Sequence, residues 1–359
     1  MTVRLFAVAC YLGFVSAFLS LQAHAASLPA VDQIMAGYDR GGSPGAAVVV
    51  AKSGQILHMK GYGSADLEGV IPATELTSFR LASVSKQFIA MGIAMLREDG
   101  QLSLDDNIKA IFPEFPVYGR QIKVRHLIHH ISGLVDYEDL IPSGQTAQLS
   151  DHDVLQLYVS KTRATRFKPG SQYSYSNGGY VLLGLVIERV SGQSLDIFLR
   201  ERIFSRLGMS SEMYQGESSP IVDRAYGYSQ AGGGWRRTDQ SVTSATRGDG
   251  GIYASIRDLF LWDRALQPGT PDPLVGDAIL AEIFKPGRLD SGEGCGYGFG
   301  WQIDTWRGLP RESHTGSTIG FRTAIQRYPS RKLMIAVLTN RNGGSPWSLA
   351  EQIADVLAE

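Results

Sequence analysis

From residue 83 to residue 98 the chain reads as a helix that is apolar on most sides, with Phe88, Ile89, Met91, Ile93, Met95 and Leu96 spread around it and Gly100 as its stop. A helix without a broad polar face cannot lie on a surface, so the rest of the chain has to wrap it. Helical spacing over 31–36 gives way to Gly41-Gly42-Ser43-Pro44-Gly45. Residues 46–52, the turn Ser53-Gly54 and residues 55–62 then carry the pattern of a β-hairpin. The middle, about 102–266, is predicted to be mostly helical segments and loops, including helices at 180–190 and 194–207. Strand patterns return at 300–306, 320–328 and 333–339, followed by an amphipathic helix over 346–357. Strands at both ends around a helical middle predict an α/β chain of the α+β type. Its central antiparallel β-sheet is built from both chain ends and flanked by helices, with a mostly helical inserted subdomain and a cleft between the two parts. The sheet part is expected at about 30–80 and 290–359 and the helical part at about 81–289, all within one domain over 26–359.

The first residues read as an address. Arg4 precedes an apolar, small-residue-rich run over 5–21, and Ala23-His24-Ala25 is a small-x-small cleavage site. This is the pattern of a signal peptide spanning 1–25, which predicts a periplasmic or secreted mature chain starting at Ala26. The leader carries one basic residue and no acidic one, so its removal takes the formal net charge from −1 to −2. That balance gives no reason to expect nucleic acid or an acidic membrane surface as a partner. No later hydrophobic run is long enough to span a bilayer, so no integral membrane segment is expected after leader cleavage. Of two cysteines, Cys10 lies in the leader and Cys295 stands alone among glycines. A chain of this length buries enough core to hold together without a disulfide, and Cys295 reads as an incidental small residue.

Three short motifs carry chemistry. Ser83-Val84-Ser85-Lys86 is the one Ser-x-x-Lys in the chain, and it opens the buried helix. A hydroxyl is a poor nucleophile until a base takes its proton, and a lysine three residues on lies on the same helical face. The helix start adds free backbone N–H groups and a positive dipole end, both suited to a developing oxyanion. Tyr175-Ser176-Asn177 is the second motif, set in a turn before an apolar helix. Residues two apart in a turn present a phenol and an amide to one side, one able to shuttle a proton and the other to hold a carbonyl. The third is His314-Thr315-Gly316-Ser317 on a strand pattern, where a glycine lets another backbone approach closely and the N–H of Ser317 is a second oxyanion donor. Each also has a plain structural reading: an N-capping serine with a surface lysine, a loop tyrosine with a capping asparagine, a glycine bulge.

In this order and on these elements, the three motifs together resemble the serine β-lactamase and penicillin-binding family, of which Ser-x-x-Lys, Ser-Asp-Asn and Lys-Thr-Gly is a related set. Tyrosine in the second motif looks like the branch of class C β-lactamases, D-alanyl-D-alanine carboxypeptidases, D-aminopeptidases and related esterases. The resemblance runs from Gly45 to about Asn340. It includes stretches without direct chemistry such as Gly61-Tyr62-Gly63, Arg80-Leu81-Ala82, Ile131-Ser132-Gly133-Leu134, Gly248-Asp249-Gly250-Gly251 and Gly298-Phe299-Gly300-Trp301. It implies that Ser83 is the acylated nucleophile, Lys86 its activator and Tyr175 the proton shuttle. It further implies that Asn177 holds the acyl-side amide of the substrate. His314 and Thr315 would line the leaving-group side, and Gly316 and Ser317 the oxyanion side. No metal or organic cofactor is needed for that chemistry, and the expected partner is a small-molecule or peptide substrate, a β-lactam or cell-wall peptide among them.

The chain departs from the family pattern at substrate-facing positions. Most β-lactamases have lysine where this chain has His314, so carboxylate recognition is expected to be weaker and pH-dependent. Gln302 stands near where an arginine would serve a carboxypeptidase, and strand alternation does not say which face Arg322 is on. An esterase or general peptidase is therefore favoured over a carboxypeptidase. The expectation is an exported serine acyl hydrolase acting on an amide, β-lactam or ester carbonyl. A D-alanyl-D-alanine carboxypeptidase or D-aminopeptidase is the alternative, and a non-catalytic binding or scaffold protein is the rival of another class. Two other signals fall away. Gly41-Gly42-Ser43-Pro44-Gly45 fits Gly-x-Ser-x-Gly, but Pro44 lacks the N–H that an oxyanion hole needs there. His126, His129 and His130 share helical spacing, but no neighbouring cysteine or carboxylate completes a zinc set.

Overall fold

The computed structural model describes residues 28–216 and 220–357; the leader pattern over 1–25 lies outside them. Six strands form one antiparallel sheet in the order Gln302–Trp306, Leu309–Thr318, Phe321–Tyr328, Leu333–Thr339, Ala46–Lys52, Gln55–Tyr62. The two chain ends meet in the middle of the sheet, where Val48 lies opposite Val337 and Val50 opposite Ile335. Both of these strands are buried on both faces, which is why they read as continuous apolar runs and not as alternation.

Each face has its own cover. On one side, helices Pro29–Met35 and Pro346–Val356 pack Val31, Met35 and Ile353 against Val48, Val50, Ile335 and Val337. On the other, Ala47, Val49 and Ala336 meet the large helical part, centred on helix Lys86–Glu98. Eleven residues of that helix, Lys86 to Leu96, are buried without a break, as its all-round apolar pattern requires. The next helix of the site, Asn177–Ser191, crosses it; Gly92 makes room there, since a Cβ would stand 2.8 Å from the Ile187 side chain. No helix among the described residues is long and apolar enough to cross a membrane.

The structure departs from the sequence reading in three places. Residues 83–85 are not the first turn of the α-helix: a 3-10 turn covers Ala82–Ser85, and the α-helix starts at Lys86. Ala82, at φ 49°, is left-handed, so no helical turn continues upstream of Ser83. The middle is also less helical than expected. Phe79–Arg80, Ile252–Ala254 and Glu212–Met213 form a small three-stranded sheet, and Tyr228–Ala231 pairs with Gly234–Arg237 as a hairpin. Strands of two or three residues are too short to show a period of two. Finally, the helix expected over 194–207 is interrupted by a π-helical stretch at Arg200–Phe204.

Asn340, just past the last strand, joins the two chain ends to the middle. Its Oδ1 accepts from Gly45 N at 2.7 Å, and its Nδ2 donates to the carbonyls of Ser64, Ala65 and Tyr226. The side chain is fully buried. Asn340→Ala strands these groups without water, so it should cost about 2–4 kcal/mol, read as a lower urea midpoint at unchanged slope.

Candidate active site

Two glycine backbones and one side chain close on Leu81 and Ala82, just before Ser83. Gly316 lies against the nucleophile segment so tightly that a Cβ there would stand 2.1 Å from Leu81 O and 2.2 Å from Thr323 Oγ1. Gly250 approaches Ala82 from the other side, where a Cβ would be 3.4 Å away, and Thr323 Oγ1 donates to Leu81 O at 2.8 Å. Strand Gln302–Trp306 pairs with its neighbour only as far as Ser313, so from His314 onward the strand edge on that side is open. The nucleophile turn packs beside that open edge, and the glycine expected to permit close approach does so.

Lys86 is fully buried. Its Nζ bonds to Ser83 Oγ at 3.1 Å, Asn177 Oδ1 at 2.9 Å and the Asp249 carbonyl at 2.7 Å. The two carbonyl oxygens can only accept, so each takes one N–H. The remaining tetrahedral position faces Ser83 Oγ: as an ammonium it donates an N–H to the serine, and as a free amine it presents a lone pair to the serine proton. One side chain thus gathers the Ser-x-x-Lys turn, the Tyr-Ser-Asn motif and the loop carrying Asp249.

Asn177 is the first residue of helix Asn177–Ser191, with Ser176 capping it through a bond from Gly179 N. The N–H groups of Asn177 and Gly178 are both taken by the Asp136 carboxylate at 3.1 and 3.0 Å, an acidic cap at a helix start. The Tyr175 ring stands over the Lys86 side chain, with Nζ 5.0 Å from its centre. Its hydroxyl is shielded from solvent and has no hydrogen-bond partner, so both its proton and its lone pairs are uncommitted. Ser83, Asn177 and Ser317 line one small cleft of about 60 Å³ together with Glu138, Asp249 and Thr318. It lies between the sheet and the helical part, where the sequence placed it.

His314 differs from its expected role. It is buried, its Nδ1–H donates to the Thr315 carbonyl at 2.6 Å, and its Nε2 accepts from the Tyr297 hydroxyl at 2.8 Å. Burial first, and then the nearby Lys86 charge, push its pKa down to about 3. It is therefore neutral with both nitrogens committed, and the expected pH-dependent charge for a substrate carboxylate is not there. Arg322 does not replace it. Thr323 faces the nucleophile, so alternation turns Arg322 to the opposite face, where its guanidinium holds Thr318 O, Phe321 O and Asn342 Oδ1.

Glu138 was not foreseen. It accepts from Asn177 Nδ2 at 3.3 Å, and burial, then Asp136 and Asp249, push its pKa up. Its place in a 3-10 turn, Tyr137–Leu140, gave no periodic signal to find it by. Cys295 stays outside the cleft, with its thiol pKa raised by burial. The three histidines of the abandoned zinc reading each bond elsewhere: His126 Nδ1 to Lys123 N, His129 Nδ1 to Tyr297 O and His130 Nδ1 to Ser176 N.

The sequence profile of the family described as Beta-lactamase matches residues 30–358. The chain belongs to that family. Penicillin-binding protein 4* of Bacillus subtilis is 31% identical over 318 residues, covering 84% of this chain and 69% of the relative. A D-aminopeptidase of Gluconobacter oxydans is 29% identical over 320 residues, 88% of this chain but only 59% of that protein. Among solved structures, the octameric penicillin-binding protein homologue from Pyrococcus abyssi superposes with a TM-score of 0.77 at 28% identity, covering 91% of this chain and 76% of that one. D-amino acid amidase from Ochrobactrum anthropi SV3, complexed with L-phenylalanine amide, gives 0.75 at 25% identity, covering 92% and 97%. As a member of this family the protein is a serine hydrolase.

The state of His314 is directly measurable. With a folded-state pKa of about 3 against an ordinary 6.5, the unfolded chain takes up this proton first as pH falls. The associated stability is complete above pH 6.5 and is lost as pH drops toward 3. Imidazole nitrogen NMR should show His314 as the neutral Nδ1–H tautomer from pH 8 to pH 5. A titration midpoint near 6.5 would contradict the assignment.

Proposed function

We propose that this protein is an exported serine acyl hydrolase that works through an acyl-enzyme on Ser83. Its preferred substrates are amides and short peptides of D-amino acids that carry a free ammonium on the acyl side. The bond between Lys86 Nζ and Ser83 Oγ carries the first part of this reading. As Oγ attacks the carbonyl carbon, the serine proton passes to Lys86 in its free-amine form, and the oxyanion is met by the backbone N–H groups of Ser83 and Ser317. Collapse breaks the bond to the leaving nitrogen, which takes a proton from Tyr175, and protonated Lys86 restores that proton to the phenol. Water then attacks the ester and gives its proton to Lys86, which returns it to Ser83 as the acid leaves. Asn177 has its Oδ1 committed to Lys86, so its Nδ2 is the atom that meets a substrate carbonyl.

The charge of the cleft carries the second part. His314 is neutral and Arg322 is turned away and engaged, so neither supplies a cation for a substrate carboxylate. The cleft wall holds both the Glu138 carboxylate and the Arg80 guanidinium, whose Nε and Nη2 are given to the carbonyls of Gly250 and Ser244. Glu138, next to Asn177 Nδ2, is the group there that suits an ammonium. The D configuration is argued from the relatives called D-aminopeptidase and D-amino acid amidase. Export rests on the residue pattern over 4–25 alone. A purely binding role would leave no purpose for a serine on the cleft wall bonded to a buried amine with an unpartnered phenol beside it.

Intact-mass spectrometry with a fluorophosphonate should show a single adduct that is absent from Ser83→Ala. The unaltered protein should release ammonia from D-phenylalanine amide at least tenfold faster than from the L form. No adduct would end the acyl-enzyme reading, and equal rates would end the stereochemical one. Glu138→Gln should raise KM for D-phenylalanine amide about tenfold, the equivalent of one charge-assisted bond, and leave hydrolysis of uncharged p-nitrophenyl acetate unchanged.

A further inference from the structure

His130 lies outside the three motifs, and its ring touches none of the reacting atoms, yet it holds the residues on both sides of Tyr175. Its carbonyl accepts the N–H of Ser174 at 2.8 Å, and its Nδ1 accepts the N–H of Ser176 at 3.1 Å. Its ring also stacks on the Tyr175 ring, with centroids 4.2 Å apart and planes tilted by 34°. The rings of Tyr297 and Tyr180 close round the imidazole at 4.5 and 5.1 Å. We propose that His130 is a positioning residue for Tyr175, clamping the phenol through its carbonyl, its Nδ1 and its ring so that the ring is held over Lys86 Nζ while the hydroxyl makes no bond of its own. This rests on the reading of Tyr175 as the proton shuttle.

Two features mark the clamp as more than packing. His130 stands at φ 57°, in the left-handed region that glycine adopts without steric cost and that other residues, histidine less than most, pay to enter. A simple turn would use glycine here. What the imidazole adds is the Nδ1 contact and the stack, and both need the ring. Its Nε2–H is buried without an acceptor, a further cost that a filler side chain would not incur. The ring is also neutral, through burial and then the nearby Lys86 charge, so Nδ1 remains an acceptor at working pH. Holding a shuttle by a stack has a chemical merit: a hydrogen-bonded anchor on the phenol oxygen would occupy the proton or the lone pair that the reaction uses.

A misaimed shuttle harms substrates whose leaving group needs a proton and spares those whose leaving group departs unaided. The test compares kcat and KM on p-nitrophenyl acetate with those on whichever of D-phenylalanine amide and nitrocefin the unaltered enzyme turns over. His130→Gly keeps the carbonyl and relieves the left-handed strain. It should lower kcat on the amide or lactam about 100-fold, the usual scale of one general acid–base contribution. KM should stay within about threefold, and ester turnover within about fivefold. His130→Asn tolerates the same φ and puts an oxygen near the place of Nδ1, so it should regain about tenfold of the loss. If the glycine variant does not fold, the asparagine variant decides alone, with amide turnover about tenfold down and ester turnover unchanged. Equal losses on both substrates, or full activity on both, would overturn the proposal. Tyr175→Phe separates the two levels: if it keeps amide activity, the shuttle reading itself is wrong.

Discussion

A buried lysine nitrogen has to be satisfied by the protein, above all whenever it carries a charge, and the rest of this site follows from how Lys86 solves that problem. Leaving such a charge unpaired in an interior costs several kcal/mol, and a lost partner is correspondingly destabilising. The three acceptors come from three separated parts of the chain: the nucleophile turn, the start of helix Asn177–Ser191 and the Asp249 loop. Each is fixed by further contacts. Asp136 pins the helix start, the Tyr137 hydroxyl holds the Asp249 carboxylate, and Gly316 and Thr323 hold the nucleophile turn against the sheet. Satisfying one charge therefore assembles the catalytic geometry.

The same region concentrates backbone strain and close approach. Ala82 and His130 are both left-handed, and neither is a residue type for which that conformation is free. Gly300 passes so near the start of helix Lys86–Glu98 that a Cβ would stand 2.6 Å from the Gln87 backbone. These costs are sustained by the surrounding core, in which the central strands and the helix are buried on all sides. A turn held this way moves little when the serine is acylated, which is what preorganised oxyanion donors require.

Much of the fold was legible. The hairpin Ala46–Lys52 and Gln55–Tyr62 and the strand Leu333–Thr339 fall where the residue pattern put them, because apolar runs bounded by Ser53-Gly54 and similar turns leave little choice. The 3-10 turn at Ser83 was not legible, since a residue pattern does not separate a 3-10 turn from the first turn of an α-helix. The small sheet near Arg80 escaped for the opposite reason, its strands being too short to carry a period. Within the site, Ser83, Lys86, Asn177 and Ser317 were found through motif order. Glu138 and His130 were not, because each acts through neighbours more than 35 residues away in sequence.

By itself the sequence determined which chemistry is present, because a serine, a lysine and a phenol in family order constrain the reaction whatever surrounds them. It also determined the central helix and the two-ended sheet, through where apolar residues recur. Only the tertiary structure decided the charge of the site. Whether His314 carries a proton, and whether Arg322 reaches the cleft, depend on burial and on which face of a strand meets Leu81. Those are properties of packed surroundings, and no local pattern of residues encodes them.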